Sequence, residues 1–251
     1  DLHLCDRRQR QMCIRDSNGL ADLFNTLEAG NGEEALEKLK DNEVDVIVTD
    51  VMMPVMDGIK LCKNVKQNIR TCHIPVIILS AKTDIKDQME GLQMGADDYI
   101  PKPFSLAILT TKIQNMMRTR RRMLDKYAKS LEVEPEKITF NAMDEALLKR
   151  AMAIVEKNMD NIEFSTDEFA REMNMSRSNL HLKLKAITGE STIDFIRKIR
   201  FNEAAKLLKD GRYTVAEVST MVGFNTPSYF ATSFKKYFGC LPTEYIKKSK
   251  G

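Results

Sequence analysis

Asp50 closes an apolar run, VDVIVTD, and opens a turn that carries Pro54 and Gly58. Val44, Val46, Ile47 and Val48 follow one another without polar alternation, which is the pattern of a strand buried on both faces. A carboxylate at the end of such a strand stands on the edge of an open parallel α/β sheet where ligands bind. It is placed there to act as a nucleophile or a metal ligand. A different chemistry is laid out in the rear of the chain. Ser178, Leu182 and Lys185 recur at helical spacing, as do Ser228, Thr232 and Lys235, with His181 and Tyr229 at the flanks. Small polar side chains and lysines on an exposed helix face suit a DNA major groove, where they read base edges and phosphates. Leu182 is the exception, and its apolar side chain suits a thymine methyl.

The elements around Asp50 alternate. Residues 20–24 read as the end of a helix, 25–29 as a strand and 31–42 as a helix with Ala35, Leu36 and Leu39 on one face. After the Asp50 strand come a helix over 59–68, a buried strand over 74–80, a helix over 84–95 and a short strand within 97–104. Alternating strands and helices joined by short loops predict a parallel, doubly wound sheet.

The rear repeats itself. Ser165 with Glu168 and Thr214 with Glu217 are both capping boxes opening a short helix. Each helix runs into a turn at Asn174 or Gly223, residue types that accept positive φ. A second helix then starts from Ser176 in one copy, and from Thr226 with Pro227 at its first position in the other. Leu180, Leu184 and Ile187 form the core face of the first of these helices; Phe230, Phe234 and Tyr237 form that of the second. The expected fold is all-α, a doubled helix-turn-helix over 144–251. The alternative is a plain helical bundle whose lysines are only solvated, a reading that the matching caps disfavour.

Composition bounds these readings. The chain has 251 residues, 43% hydrophobic and 30% charged, enough for two ordinary cores. No apolar stretch approaches the roughly 20 residues that a bilayer requires, so no membrane contact is expected. Five scattered cysteines form no metal-ligand spacing, which fits a reducing cytoplasm. The net charge of +3 conceals an asymmetry: residues 18–104 carry 9 Lys/Arg against 15 Asp/Glu, while 144–251 carry 18 against 14. An acidic front and a basic rear predict different partners, with nucleic acid for the rear.

Five motifs in order give the front a family resemblance: Asn31-Gly32-Glu33-Glu34-Ala35; Asp50 to Pro54 with Asp57-Gly58; Pro75-Val76-Ile77 with Ser80-Ala81; Gly95-Ala96-Asp97-Asp98-Tyr99; and Lys102-Pro103-Phe104. Together they resemble the receiver domain of two-component response regulators. The resemblance implies that Asp50 accepts a phosphoryl group from the phosphohistidine of a cognate histidine kinase. It also implies that Lys102 pairs with the phosphoryl oxygens, Ser80 hydrogen-bonds one of them, Tyr99 moves inward with Ser80, and the Lys102-Pro103 bond is cis. Receivers hold Mg²⁺ through the acceptor, the backbone carbonyl two residues on (here Met52) and two acids that end a first strand. Arg7 and Arg8 lie where those acids belong, so the metal site is expected to be incomplete and Mg²⁺ weak. Leu2 to Asp6 can imitate that strand only with Asp6 in the wrong register.

Gly223-Phe224-Asn225, Tyr229-Phe230, Phe234-Lys235, Gly239, Pro242 and Tyr245 resemble the AraC-type DNA-binding domain, and residues 191–208 resemble its rigid spacer, with Arg200, Ala204, Leu207 and Leu208 in place. This implies double-stranded DNA as the ligand, contacted through Arg177, Ser178, His181, Leu182 and Lys185 in the first recognition helix and Asn225, Ser228, Tyr229, Thr232 and Lys235 in the second. Leu182 stands where the family often has Arg, so operator preference is not transferable.

The expected domains are a non-native leader over 1–17, in which Met12 to Asp16 resembles a translated sequencing adaptor, with a disordered basic leader as the alternative; a receiver lacking its first strand over 18–123; a linker over 124–143; and the DNA-binding domain over 144–251. Between the domains, apolar residues from Leu106 to Tyr127 recur at helical spacing but are interrupted by Arg120. A dimerising coiled coil and a last receiver helix with a solvated basic tail are both open, the interruption favouring the tail. The arrangement fits a transcription regulator controlled by phosphorylation, acting alone, as a homodimer, or as the cytoplasmic end of a hybrid sensor. Rival readings are a degenerate receiver with constitutive DNA binding and an aspartyl-phosphate enzyme. Met52 counts against the enzyme, because a second acid is due two residues after the nucleophile.

Overall fold

In the computed structural model, which describes residues 2–6, 23–81, 95–129, 135–139 and 141–249, the front strands are β1 (Leu2–Asp6), β2 (Thr26–Ala29), β3 (Val44–Asp50), β4 (Val76–Ser80) and β5 (Asp98–Pro101). The β-branched run does what its pattern requires. Val46 and Val48 face one side of the sheet with Ile77, Leu79 and Ile100. Ile47 faces the other side with Val76 and Ile78. Helices α1 (Gly32–Asp41) and α2 (Gly58–Gln67) cover this second face through Ala35, Leu39, Leu61, Cys62 and Val65. The opposite face is covered by the start of α3 (Leu106–Lys129), through Leu109 and Ile113. The helix expected over 84–95, the leader over 7–17 with its Arg pair, and the start of the segment 20–24 lie outside the described residues.

Strand order is β2-β1-β3-β4-β5, with β3, β4 and β5 parallel. The slot expected to lack a strand is filled, but in reverse: β1 runs antiparallel to both neighbours, pairing Leu2 with Ala29 and His3 with Val48. An open slot between β2 and β3 would leave two rows of backbone groups unpaired, and an extended segment of either direction satisfies them. Direction still matters for chemistry. Asp6 pairs with Val44, six residues from Asp50 along β3 and so about 20 Å from it.

Contacts divide the chain into two units, residues 1–123 and 124–251. The second unit holds the end of α3, a single 3₁₀ turn (Pro135–Lys137), and helices α4 (Ala142–Lys157), α5 (Thr166–Glu172), α6 (Arg177–Thr188), α7 (Thr192–Asp210), α8 (Val215–Met221), α9 (Pro227–Phe238) and α10 (Pro242–Ser249). The stretch expected to link the domains holds the last turns of α3, while the basic tail just before it is solvated, with Arg118, Arg121 and Arg122 exposed. Helix α3 continues to Lys129, and Tyr127 on its last turns is buried. The Tyr127 ring lies under the Lys198 ammonium, 3.5 Å from Nζ to its centroid, and the Tyr127 carbonyl accepts a hydrogen bond from the same group at 2.5 Å. Lys198 also pairs with Glu190 at 3.0 Å. Burial pushes the Lys198 ammonium below its usual range and the Glu190 carboxyl above its own, and their mutual attraction offsets part of both effects.

The two helix-turn-helix copies are built alike. Both capping boxes form, Ser165 with Glu168 and Thr214 with Glu217. Both turns place one residue at positive φ, Asn174 at 56° and Gly223 at 71°. In both, the next amide donates 3.0 Å back to the first helix, from Met175 to Ala170 and from Phe224 to Ser219. These turn residues stand 49 positions apart, whereas the caps of the second helices, Ser176 and Thr226, stand 50 apart. The second turn therefore contains one extra residue. The core faces of the second helices differ: that of the first copy is aliphatic, Leu180, Leu184 and Ile187, while in the second copy Phe224, Phe230, Phe234 and Tyr237 surround Phe201 of α7 at 5.2–6.3 Å between ring centroids.

Candidate functional sites

Asp50, Ser80 and Lys102 come together because three parallel strands end at one edge. Asp50 is registered with Leu79, and Ser80 with Pro101, the residue before Lys102. The Lys102 amide donates to the Ser80 carbonyl at 2.7 Å, tying the last two strand ends together. The Lys102-Pro103 bond is cis. The Lys102 ammonium donates to Asp50 Oδ2, while Oδ1 accepts the Met52 amide at 3.3 Å. Both charged side chains keep partial access to solvent, 23% for Asp50 and 37% for Lys102, so an incoming group can reach the pair. Ser80 is buried. The Tyr99 ring packs with the cluster on the α1/α2 face, and its buried hydroxyl has no hydrogen-bond partner among the described residues.

The loop after Asp50 is shaped by close approach. A Cβ on Gly58 would sit 2.0 Å from the Asp50 carbonyl oxygen and 2.7 Å from Thr49 Oγ1, so only glycine fits. Asp57 then caps α2 by accepting the Lys60 amide at 2.7 Å. Val55 takes positive φ at 65° between Pro54 and Met56, an uncommon conformation for a β-branched residue, and it and Met52 are largely exposed.

As to a divalent cation, Asp50 stands at the sheet edge, and the reversed β1 carries Asp6 to the far end of β3. Among the described residues no three His, Cys, Asp or Glu side chains cluster closely enough to hold a metal. The described residues do not complete a Mg²⁺ site.

In the second unit, Arg177, Ser178 and Leu182 are exposed along α6, and His181 and Lys185 are half-buried beside them. Asn225, Ser228, Tyr229, Thr232 and Lys235 are exposed before and along α9. The Thr232 hydroxyl donates to the Ser228 carbonyl at 3.0 Å, so its proton is spent on its own helix and its oxygen remains as an acceptor. Lys183, adjacent in sequence to these groups, faces the other way. Its ammonium is buried against Asp144 of α4 at 2.6 Å, a packing role and not a phosphate contact. Arg200 is likewise internal, donating to the Gly223 carbonyl at 3.0 Å and to those of Asn158 and Asn161 at 3.3 and 2.7 Å. Arg197 escaped the sequence reading. It lies on the exposed side of α7 with Ile193 and Asp194, and it donates to the Tyr229 hydroxyl at 2.8 Å. Its signal was available in the spacing of exposed positions on the spacer helix, but a basic residue between two buried ones reads equally well as solvated.

Two family models match separate stretches of the chain. The family model described as response regulator receiver domain matches residues 6–114, and one described as helix-turn-helix domain matches residues 169–248. Histidine kinase P4 of Formosa agariphila is 39% identical over 222 residues, 88% of this chain and 16% of its own length. The probable transcriptional regulator ycf27 of Cyanidium caldarium is 36% identical over 121 residues, 45% of this chain and 47% of its own length. The chain thus spans a sixth to a half of these two relatives. Among solved structures, the C-terminal domain of AraT, a response regulator from Geobacillus stearothermophilus, is 30% identical, covering 41% of this chain and 84% of that one with a TM-score of 0.39. The receiver domain of the Francisella response regulator 1452 is 47% identical over 36% of this chain and 74% of that one, with a TM-score of 0.34.

Proposed function

From a chain that belongs to the response regulator receivers in its front half and to the AraC-type helix-turn-helix proteins in its rear, we propose a DNA-binding transcription regulator whose activity is set by phosphorylation of Asp50. The observation that carries this reading is the Asp50–Lys102 ion pair at the shared edge of three parallel strands, on the same chain as two identically capped helix-turn-helix units. A carboxylate oxygen of Asp50 attacks the phosphorus of a phosphohistidine; the new O–P bond forms as the P–N bond breaks, and the kinase imidazole leaves. Lys102 releases Asp50 and takes a phosphoryl oxygen. Ser80 hydrogen-bonds another. The inward-packed Tyr99 follows Ser80.

Receiver domains generally bind Mg²⁺ at this position; here Asp6 of β1 lies at the far end of β3 from Asp50, so phosphoryl uptake by this chain is expected to be poor. The kinase that serves it is either a separate protein or part of the same gene. The name and length of the Formosa relative favour the second arrangement. Double-stranded DNA is the output partner, read by the exposed faces of α6 and α9, with a homodimer as the form that doubles the site.

The test is intact-mass measurement after incubation with a small-molecule phosphodonor and Mg²⁺. A chain whose first strand is replaced by a parallel one ending in two acids should gain about 80 Da, and its Asp50→Asn variant should gain nothing. Equal uptake by the Asn variant would refute Asp50 as the acceptor.

A further inference from the structure

The first turns of α7 lie between the two recognition helices, and the contacts that show this come from both sides. Thr192 Oγ1 is 3.5 Å from His181 Nδ1 on α6. Five residues on, about 7.5 Å along the helix, Arg197 Nη2 donates to the Tyr229 hydroxyl on α9 at 2.8 Å. His181 and Tyr229 flank the faces assigned to base reading. Between these two anchors α7 shows solvent Ile193, Asp194 and Arg197, while Phe195, Ile196, Lys198 and Ile199 turn inward.

We propose that Arg197 is a DNA-backbone contact, a guanidinium set on the spacer helix to grip the phosphates that separate the two major grooves entered by α6 and α9. This rests on the DNA-binding reading above. The duplex between two successive major grooves presents a minor groove walled by phosphates, and whatever lies between the recognition helices must face it. A guanidinium matches a phosphate with two parallel hydrogen bonds. Tyr229 holds the group without neutralising it, because a phenol hydroxyl accepts one N–H and leaves the charge intact.

One nearby group opposes the contact. Asp194 Oδ1 lies 4.0 Å from Arg197 Nη1, and its carboxylate is more than half exposed. It is engaged as the third residue of the α7 cap, where the Ser191 hydroxyl donates to Oδ2 at 2.6 Å. At 4.0 Å it makes no hydrogen bond to the arginine, so it tempers the positive charge without occupying the fork. Removing that carboxylate should tighten DNA binding.

The experiment uses the full chain and two duplexes of about 30 base pairs, long enough for three turns of the helix: one enriched from a random pool by the wild-type chain, and one of mixed sequence. Affinity is measured across a potassium chloride series. Arg197→Gln should weaken binding about tenfold on both duplexes and should reduce the slope of log affinity against log salt by about 0.9, the loss of one neutralised phosphate. Asp194→Asn should strengthen both. Tyr229→Phe keeps the ring and removes only the hydroxyl that holds Arg197, so it reports loss of positioning. Unchanged affinity and slope for Arg197→Gln would overturn the proposal. So would weakening with an unchanged slope that Tyr229→Phe reproduces, since Arg197 would then only position Tyr229. If the wild-type chain enriches no duplex and binds neither, the DNA-binding reading itself fails and this contact falls with it.

Discussion

At the scale of single residues, the two positive-φ turns show why identical roles take different side chains. Asn174 accepts φ of 56° at modest cost, whereas a Cβ at Gly223 would sit 2.6 Å from the Met159 carbonyl oxygen and 2.7 Å from Arg200 Nη2. Glycine is needed there because a buried guanidinium already fills the space. The sequence disclosed the turn, but not Arg200 as the reason for its glycine. Gly58→Ala meets the same objection beside Asp50 and should cost about 3 kcal/mol, the upper end of overpacking, read as a lower urea midpoint with unchanged slope. The buried Lys183–Asp144 pair gives a sharper test. Lys183→Met should cost about 3–5 kcal/mol because it takes the cation from a buried carboxylate, while adding Asp144→Leu to it should recover most of that loss. Burial pushes the Cys62 thiol up to about 11. At pH 8 the thiol therefore stays protonated in the folded chain, and it should react with a thiol reagent only as fast as the front unit opens.

At the scale of elements, both capping boxes are legible as residue types at fixed spacing, because a cap is local chemistry. Ser165→Ala and Thr214→Ala should each cost about 1 kcal/mol, and, since their contacts are separate, the double variant should lose the sum in urea unfolding. Glu217 belongs to the second box, and the Thr214 amide and hydroxyl hold its carboxyl below the usual range. A depressed folded value means that the contribution is complete above the unfolded carboxylate value and fades as pH falls through the folded one. Glu217→Gln should therefore lose stability at neutral pH and little in acid, measured by the thermal midpoint across pH. Helix α3 was the element least legible in advance. Its spacing announced a helix, but Arg120 made the later half look solvated. Arg118, Arg121 and Arg122 are indeed exposed, but Tyr127 is buried, because Lys198 and Glu190, some 60 to 70 positions further on, are there to receive it. No window of sequence contains that contact.

At the scale of the whole molecule, two units with separate cores imply two unfolding events. Calorimetry of the chain should show two transitions, and Lys183→Met should lower only the one belonging to residues 124–251. No helix among the described residues is long and apolar enough to cross a membrane. The acidic front and basic rear are in keeping with the partners proposed for them, a kinase for the first unit and DNA for the second.

The sequence by itself determined the elements and their chemistry: a strand buried on both faces that ends in Asp50, the ordered motifs around it, and a helix-turn-helix written twice with its caps. These features are local, carried by spacing of two or 3.6 residues and by side chains that bond their own neighbours. Only the tertiary structure decided that Leu2–Asp6 enters the sheet backwards and so withholds its acid from the site. The strand's own residues do not state its direction, since a parallel or an antiparallel segment satisfies the same neighbouring backbones. Only packing, too, decided that Lys183 and Arg200 turn inward while Arg197 turns out. A charge in a helix reads alike whether it meets water, a carboxylate or a carbonyl, and the difference lies in what the rest of the chain brings to it.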